Sequence, residues 1–187
     1  MPDSLNHPAT GPHDVSEVGS TLGYLSFGSI LMPTIEAISV RVEVDENTGL
    51  VVAVSFEHEG SVLQVSAFAA AKSDELWPEI YDQLIETVTT TGGSIVETVG
   101  GFGKQLEATL VTPNETRELR FIGFDGPRWF LRGAVTGPAL TNENAAQNME
   151  DIFRSLVIDR GNSALPPREP LPLKVPEGNF VPPKSGL

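Results

Sequence analysis

Apolar and polar residues alternate with a period of two through much of the first half of the chain. Val40, Val42 and Val44 alternate with Arg41, Glu43 and Asp45, the pattern of a strand buried on one face. Asn47-Thr48-Gly49 supplies a turn, with the glycine available for a positive φ. Leu50, Val52, Val54 and Phe56 resume the alternation. Glu59-Gly60 turns the chain again into Val62 to Ala69, where Leu63, Val65 and Ala67 point inward. Ahead of these strands, Tyr24 to Pro33 is apolar but broken by Gly28 and ended by Pro33, which predicts an edge segment.

The period then changes. Trp77, Tyr81, Leu84, Ile85 and Val88 recur at helical spacing, widened by Leu76 and Ile80. Ser73-Asp74 are good N-cap types, Pro78 sits where a first turn tolerates it, and Gly92-Gly93 stops the helix. Strands are predicted from Ile95 to Val99 and through Leu106, Ala108 and Leu110, joined by the Gly100-Gly101-Phe102-Gly103 turn and ended by Pro113-Asn114. A second helix runs from about Asn142 to Ser155 with Ala146, Met149, Ile152, Phe153 and Leu156 inward, and a short strand over Leu156 to Asp159 closes the domain.

The most informative stretch, Glu118 to Val135, reads as a hairpin with three arginines threaded through aromatics. A three-residue loop at Asp125-Gly126-Pro127 would set Phe124 opposite Arg128, Ile122 opposite Phe130 and Arg120 opposite Arg132. Leu119, Phe121, Trp129 and Leu131 then form a core face. Arg120, Phe124, Arg128, Phe130 and Arg132, with Ile122, form the opposite one, and these five are the candidate interaction residues. Two opposed arginines would each want an anionic partner, either acidic residues of the same chain or a ligand.

Hairpins interleaved with two helices predict an α+β fold: an antiparallel β-sheet with two main helices packed on it. Residues 1–20 read as a disordered leader, residues 21–160 as a single domain, and residues 161–187, with seven prolines in 27 positions, as a Pro-rich extended tail. Leu171 and Leu173 could peg that tail to its own domain. Its Pro167-x-x-Pro170 spacing also resembles polyproline ligands.

Composition narrows the chemistry. At 187 residues and 40% hydrophobic the chain can bury a core. It holds no cysteine, which removes disulfides and thiolate catalysis, and fits a cytoplasmic setting. No run approaches the roughly 20 apolar residues of a membrane helix, so no membrane association is expected. A formal net charge of −13 disfavours nucleic acid. Gly103-Lys104 lacks the glycine and hydroxyl residue of a phosphate-binding loop, since Thr98 and Gln105 stand there. The histidines are His7 and His13 in the leader and His58 in what reads as a solvated turn, so no metal or cofactor is expected. Glu43 and Asp45 read as solvated charges on a strand rather than as an acid/base pair.

Val42-Glu43-Val44-Asp45-Glu46-Asn47-Thr48-Gly49, Gln64 to Ala70, Leu76-Trp77, Arg120 to Gly133, Asp159-Arg160-Gly161 and Pro167 to Leu173 resemble an uncharacterised actinobacterial family, a domain of unknown function. The resemblance spans about residues 24 to 176 and implies no activity or catalytic residues. The element order also resembles the PsbP-like fold, an α/β/α sandwich used mainly by non-catalytic binding and assembly proteins. The expectation is a non-enzymatic module that binds an unidentified protein partner through the Arg/aromatic hairpin face or the Pro-rich tail. One alternative is a small-ligand binder or enzyme with a pocket lined by Trp77, Tyr81 and Trp129; another is a single-stranded nucleic-acid binder.

Overall fold

The structure, a computed structural model, describes residues 10–177. Three short strands come first: β1 (His13–Asp14), β2 (Tyr24–Ser26) and β3 (Ile30–Pro33). A meander of β4 (Ser39–Val44), β5 (Val51–His58) and β6 (Ser61–Ala69) leads into the helix α1 (Trp77–Thr90). Two hairpins follow, β7 (Ser94–Gly100) with β8 (Gly103–Val111) and β9 (Thr116–Gly126) with β10 (Trp129–Thr136), then α2 (Glu143–Ser155) and β11 (Val157–Ile158). Seven strands form one antiparallel sheet in the order β4-β5-β6-β10-β9-β8-β7, and β1, β11, β3 and β2 form a smaller one. The fold is α+β, as the hydrophobic periods predict.

The two helices cover opposite faces of the large sheet. Met149, Ile152 and Phe153 of α2, with Ile30, Met32 and Ile158 of the small sheet, pack on Val54, Phe56, Leu63, Val65, Ile122 and Leu131. On the other face Trp77 and Tyr81 of α1 meet Phe130, Leu106 and Phe121, while Val88 meets Ala108 and Leu119. The β7–β8 turn reaches over to α2, where the Phe102 ring lies 4.8 Å from Phe153 and under the guanidinium of Arg154 at 4.3 Å. That turn ties one end of the sheet to the second helix.

Residues 10–20, expected to be part of a disordered leader, instead join the domain. His13 and Asp14 pair in parallel with Val157 and Ile158, and Asp14 caps a one-turn 3₁₀ helix at Val15–Glu17. The Asp14 carboxylate also accepts a hydrogen bond from the Trp129 indole at 2.8 Å. Residues 1–9, the rest of that predicted leader, and 178–187 of the tail lie outside the described residues.

The β9–β10 hairpin forms in a different register from the one its turn residues suggest. Gly126 pairs with Trp129, so the loop is Pro127-Arg128, not Asp125-Gly126-Pro127. Arg128 takes φ 63°, and proline followed by a positive-φ residue is the signature of a type II turn. Gly126 serves space rather than φ: a Cβ there would lie 2.2 Å from the Trp129 ring. The slip is an odd number of residues, so it exchanges the faces of one strand relative to the other. Leu131 now faces Phe124, Gly133 faces Ile122, and Arg132 pairs with Gly123 instead of Arg120.

The cap of α1 also differs from expectation. Ser73 and Asp74 do not cap it, and the Leu76 position has no local side-chain cap. Asp125, from the β9–β10 tip, accepts hydrogen bonds from the Leu76 and Trp77 amides at 2.7 and 3.2 Å. Two amides without intrahelical partners are thereby satisfied across 49 positions of sequence. Trp77 locks the same junction: its Nε1 donates to the Lys104 carbonyl at 2.9 Å, and its ring covers Gly123, where a Cβ would lie 2.3 Å away.

Two stability measurements follow. Arg128→Gly relieves a left-handed arginine and is expected to leave urea stability unchanged or raise it by about 1 kcal/mol, despite the added chain entropy. Asp125→Ala removes the cap of α1 and is expected to cost about 1 kcal/mol. Burial holds the Asp125 carboxyl above its ordinary value, against the lowering effect of the two amides. A raised folded pKa gives stability that is full below the unfolded value and lost as pH rises through the folded one. The stability advantage of the native chain over Asp125→Asn is therefore largest at the acid end and shrinks with rising pH. Urea midpoints across that acid range check the slope.

Candidate functional site

β5 and β6 pair only where Val54–His58 meets Ser61–Val65. Beyond Val65 the strands splay, and the chain after Leu165 fills the seam. Leu171 N–H donates to the Ala67 carbonyl at 2.9 Å, Arg168 N–H to Ala69 at 2.7 Å, and the Glu169 carbonyl accepts from Ala69 N–H at 2.8 Å. Pro170 and Pro172 alternate with Leu171, so the residues without an N–H fall where the strand pairing with β6 needs no donor. Pro172 and Lys174 extend the seam to Ser29 and Phe27 of the small-sheet region. Leu171 is a core residue, 2% exposed. The described part of the tail is built into the sheet.

The insertion leaves a groove on the α1 side. The tail residues Glu169 to Leu173 and Leu165 form one wall, Leu50 and Val52 the other, and Ser66, Phe68 and Arg132 line it between them, around about 560 Å³. Leu50 and Val52 keep 65% and 49% of their surface in solvent, so the mouth is apolar and open. A smaller cleft of about 240 Å³ continues past Phe68 and Arg132 along Ile80, Gln83, Leu84 and Thr87 of α1. Phe68 and Arg132 are shared by both.

Arg132 stands opposite Ser66 in the β6–β10 register. Its guanidinium lies 5.4 Å from the centre of the Phe68 ring, and burial pushes its pKa below the ordinary value. Among the described residues it has neither an ion pair nor a hydrogen bond, which sets it apart from the other buried and half-buried arginines; Arg128, also unpaired, is exposed. Arg41 is bound to Glu57 at 2.6 Å, Arg120 to Glu107 at 2.5 Å, and Arg168 to Glu79. Arg160 is held by the carbonyls of Arg128 and Ser163. A half-buried guanidinium without a partner costs stability until an anion reaches it.

The five predicted interaction residues do not form one face. Arg120 and Phe124 lie on the α2 side, where Arg120 also donates to the Ala139 carbonyl at 3.3 Å and Phe124 sits 5.9 Å from Trp129. Phe130 is fully buried on the α1 side, stacked between Trp77 at 5.8 Å and Phe68 at 6.3 Å. Arg128 is at the turn, its carbonyl taken by Ala70 N–H and Arg160. Arg132 opens onto the groove and its continuing cleft, whereas Phe124 lines a separate cleft beside the N-terminal segment. The alternative pocket lined by Trp77, Tyr81 and Trp129 does not form either, because Trp129 is 0% exposed on the opposite face. Tyr81 is engaged with Glu97 at 3.0 Å, and burial together with that carboxylate raises its pKa to about 12.

His58 also departs from expectation. It ends β5 with its side chain 11% exposed and Nδ1 3.2 Å from the Ala37 carbonyl, instead of sitting in a solvated turn. Among the described residues no group of three or more His, Asp or Glu side chains is placed to hold a metal, and no helix is long and apolar enough to cross a membrane. The groove-lining residues Phe68, Val52, Leu165 and Leu171 gave no functional signal in the sequence. The Pro-Leu alternation of the tail was the available hint.

Arg120 and Arg132 make opposite predictions for the ligand-free chain. Arg120→Met strands Glu107 and is expected to lower stability by about 1–3 kcal/mol. Arg132→Met keeps the stem volume and removes a desolvated charge with no partner to strand, so stability is expected to hold or rise. Urea unfolding of the two variants side by side decides the matter.

A family model described as "Protein of unknown function (DUF3710)" matches residues 11–179, a span that takes in the N-terminal strand, the sheet, both helices and the inserted tail. No curated protein and no solved structure matches the chain. With the match running from the β1 segment to past the last groove residue, the chain belongs to the DUF3710 family, a domain of unknown function.

Proposed function

We propose that this domain is a non-catalytic binding module for a small, largely apolar molecule held between the tail and β5. The observation that carries the reading is the groove itself. About 560 Å³, mostly apolar walls and a few polar side chains, Ser66, Arg132 and Glu169, are the attributes of a small-molecule site. Among the described residues Ser66 is the only hydroxyl side chain on its lining, and no histidine lines it to act as a base.

The same geometry argues for a small molecule over a protein partner. The aromatic that would anchor a partner on the hairpin, Phe130, is 0% exposed. The Pro-rich segment that would serve as a peptide ligand is spent on the sheet, with Leu171 and Arg168 bonded to β6. Strand addition at β6 is likewise taken, because the tail occupies those backbone groups.

N-phenyl-1-naphthylamine, a neutral apolar dye whose fluorescence rises on leaving water, tests the reading. The native chain is expected to bind it, and at 100 times its dissociation constant to be stabilised by about 2.7 kcal/mol. Ser66→Trp, which fills the groove floor from a half-exposed position, should abolish the signal with little change in unfolding midpoint. Val99→Trp, on a side chain 78% exposed at the far edge of the sheet, should retain it. Absence of dye binding by the native chain, or equal binding by Ser66→Trp, defeats the reading.

A further inference from the structure

We infer that the ligand of this groove is an amphiphile with a single carboxylate, its acyl or other apolar body between Leu50, Val52 and the tail, and its carboxylate on Arg132. The inference rests on the groove reading and adds the chemical class. Three features of the site converge on it.

The first is the unsatisfied guanidinium. Arg132 stands at the junction of the two cavities, half-buried, with an aromatic face on one side and no ion-pairing partner among the described residues, although Glu169 lines the same groove. A carboxylate offers two oxygens to the planar fork of an arginine, and in a site partly shielded from water that pair is stronger than on the surface. The second is the count of available cations. Arg168 also borders the smaller cleft, but Glu79 neutralises it. One unpaired guanidinium, with the Glu169 carboxylate already on the groove wall, favours a singly charged carboxylate over a doubly charged phosphate. The third is the direction of the apolar surface. Leu50 and Val52 are exposed side chains at the groove mouth, and Phe68 lies beneath the guanidinium. An apolar body leading to one anionic end matches that order.

A C-terminal carboxylate on an apolar peptide carries the same head group. The small molecule is favoured because the backbone groups that would hold a peptide strand at β6 are already bonded to Arg168, Glu169 and Leu171.

The experiment is displacement of N-phenyl-1-naphthylamine from the native chain, below micelle-forming concentrations, by dodecanoate, dodecan-1-ol and dodecyltrimethylammonium. An apolar hexapeptide with a free C-terminus is tested alongside. Dodecanoate is expected to displace the dye at roughly tenfold to a hundredfold lower concentration than the alcohol, the usual worth of a hydrogen-bonded charge. That advantage should vanish in Arg132→Met and survive in part in Arg132→Lys, and retained dye binding by both variants shows that the groove is intact.

Equal displacement by dodecanoate and dodecanol, or an unchanged preference in Arg132→Met, overturns the carboxylate assignment while leaving the groove reading standing. If Arg132→Met loses the dye altogether, the Arg132→Lys result decides: a carboxylate preference kept there supports the assignment, and one absent there overturns it. Displacement by the peptide with none by dodecanoate overturns it in favour of a protein partner. No dye binding by the native chain removes the groove reading itself.

Discussion

The pairing of Gly126 with Trp129 is the constraint on which both layers of this domain rest. Side chains alternate strictly along a strand, so the register of one hairpin fixes which helix each of its residues meets. With Gly126 opposite Trp129, the indole folds over a residue that has no Cβ and reaches Asp14, while Phe130 points the other way into the stack under Trp77. The same tip presents Asp125 to the exposed amides of α1. One two-residue turn thus orients the core beneath α2, closes the core beneath α1 and caps the helix that covers it.

That geometry also explains why one half-buried arginine is left without an anion among the described residues. The register places Arg120 beside Glu107 and near the Ala139 carbonyl, and it places Arg132 between Ser66 and Gly123 with no carboxylate within ion-pairing reach among the described residues. Natural chains rarely keep a desolvated charge without compensation, and sites that do so trade stability for binding. The inserted tail completes the arrangement. It supplies an apolar wall and occupies the backbone groups of β6 that would otherwise invite another strand.

Much of the fold was legible because its elements obey simple periods. Leu63, Val65 and Ala67, the Leu106–Ala108 pair, and Met149, Ile152 and Phe153 all face inward as their spacing requires, and Asn142 caps α2 at its predicted start. The hairpin register was not legible, because Asp-Gly-Pro-Arg accommodates two loops of different parity and the choice depends on how Trp129 packs on Gly126. The α1 cap was hidden for a related reason: a local Ser-Asp pair looks sufficient, yet the acceptor comes from another hairpin. Composition misled at both ends. Few apolar residues near His13 and many prolines near Leu171 read as segments outside the core, although short strands need only a few well-placed amides to join a sheet. The site followed the register, so an error of parity there redistributed Arg120, Phe124, Phe130 and Arg132 between faces.

The seam between β5 and β6 carries a consequence for how the domain is made. Ala67 and Ala69 belong to the middle of the sheet, yet their backbone partners, Leu171 and Glu169, are among the last described residues to leave a ribosome. Until then the nascent domain holds a slot with open amides and carbonyls beside an apolar core, a late, long-range closure of the kind that slows folding and exposes chains to misassociation. Vectorial synthesis therefore gives this fold a built-in waiting period, during which any extended chain that fits the slot is a rival for its own tail.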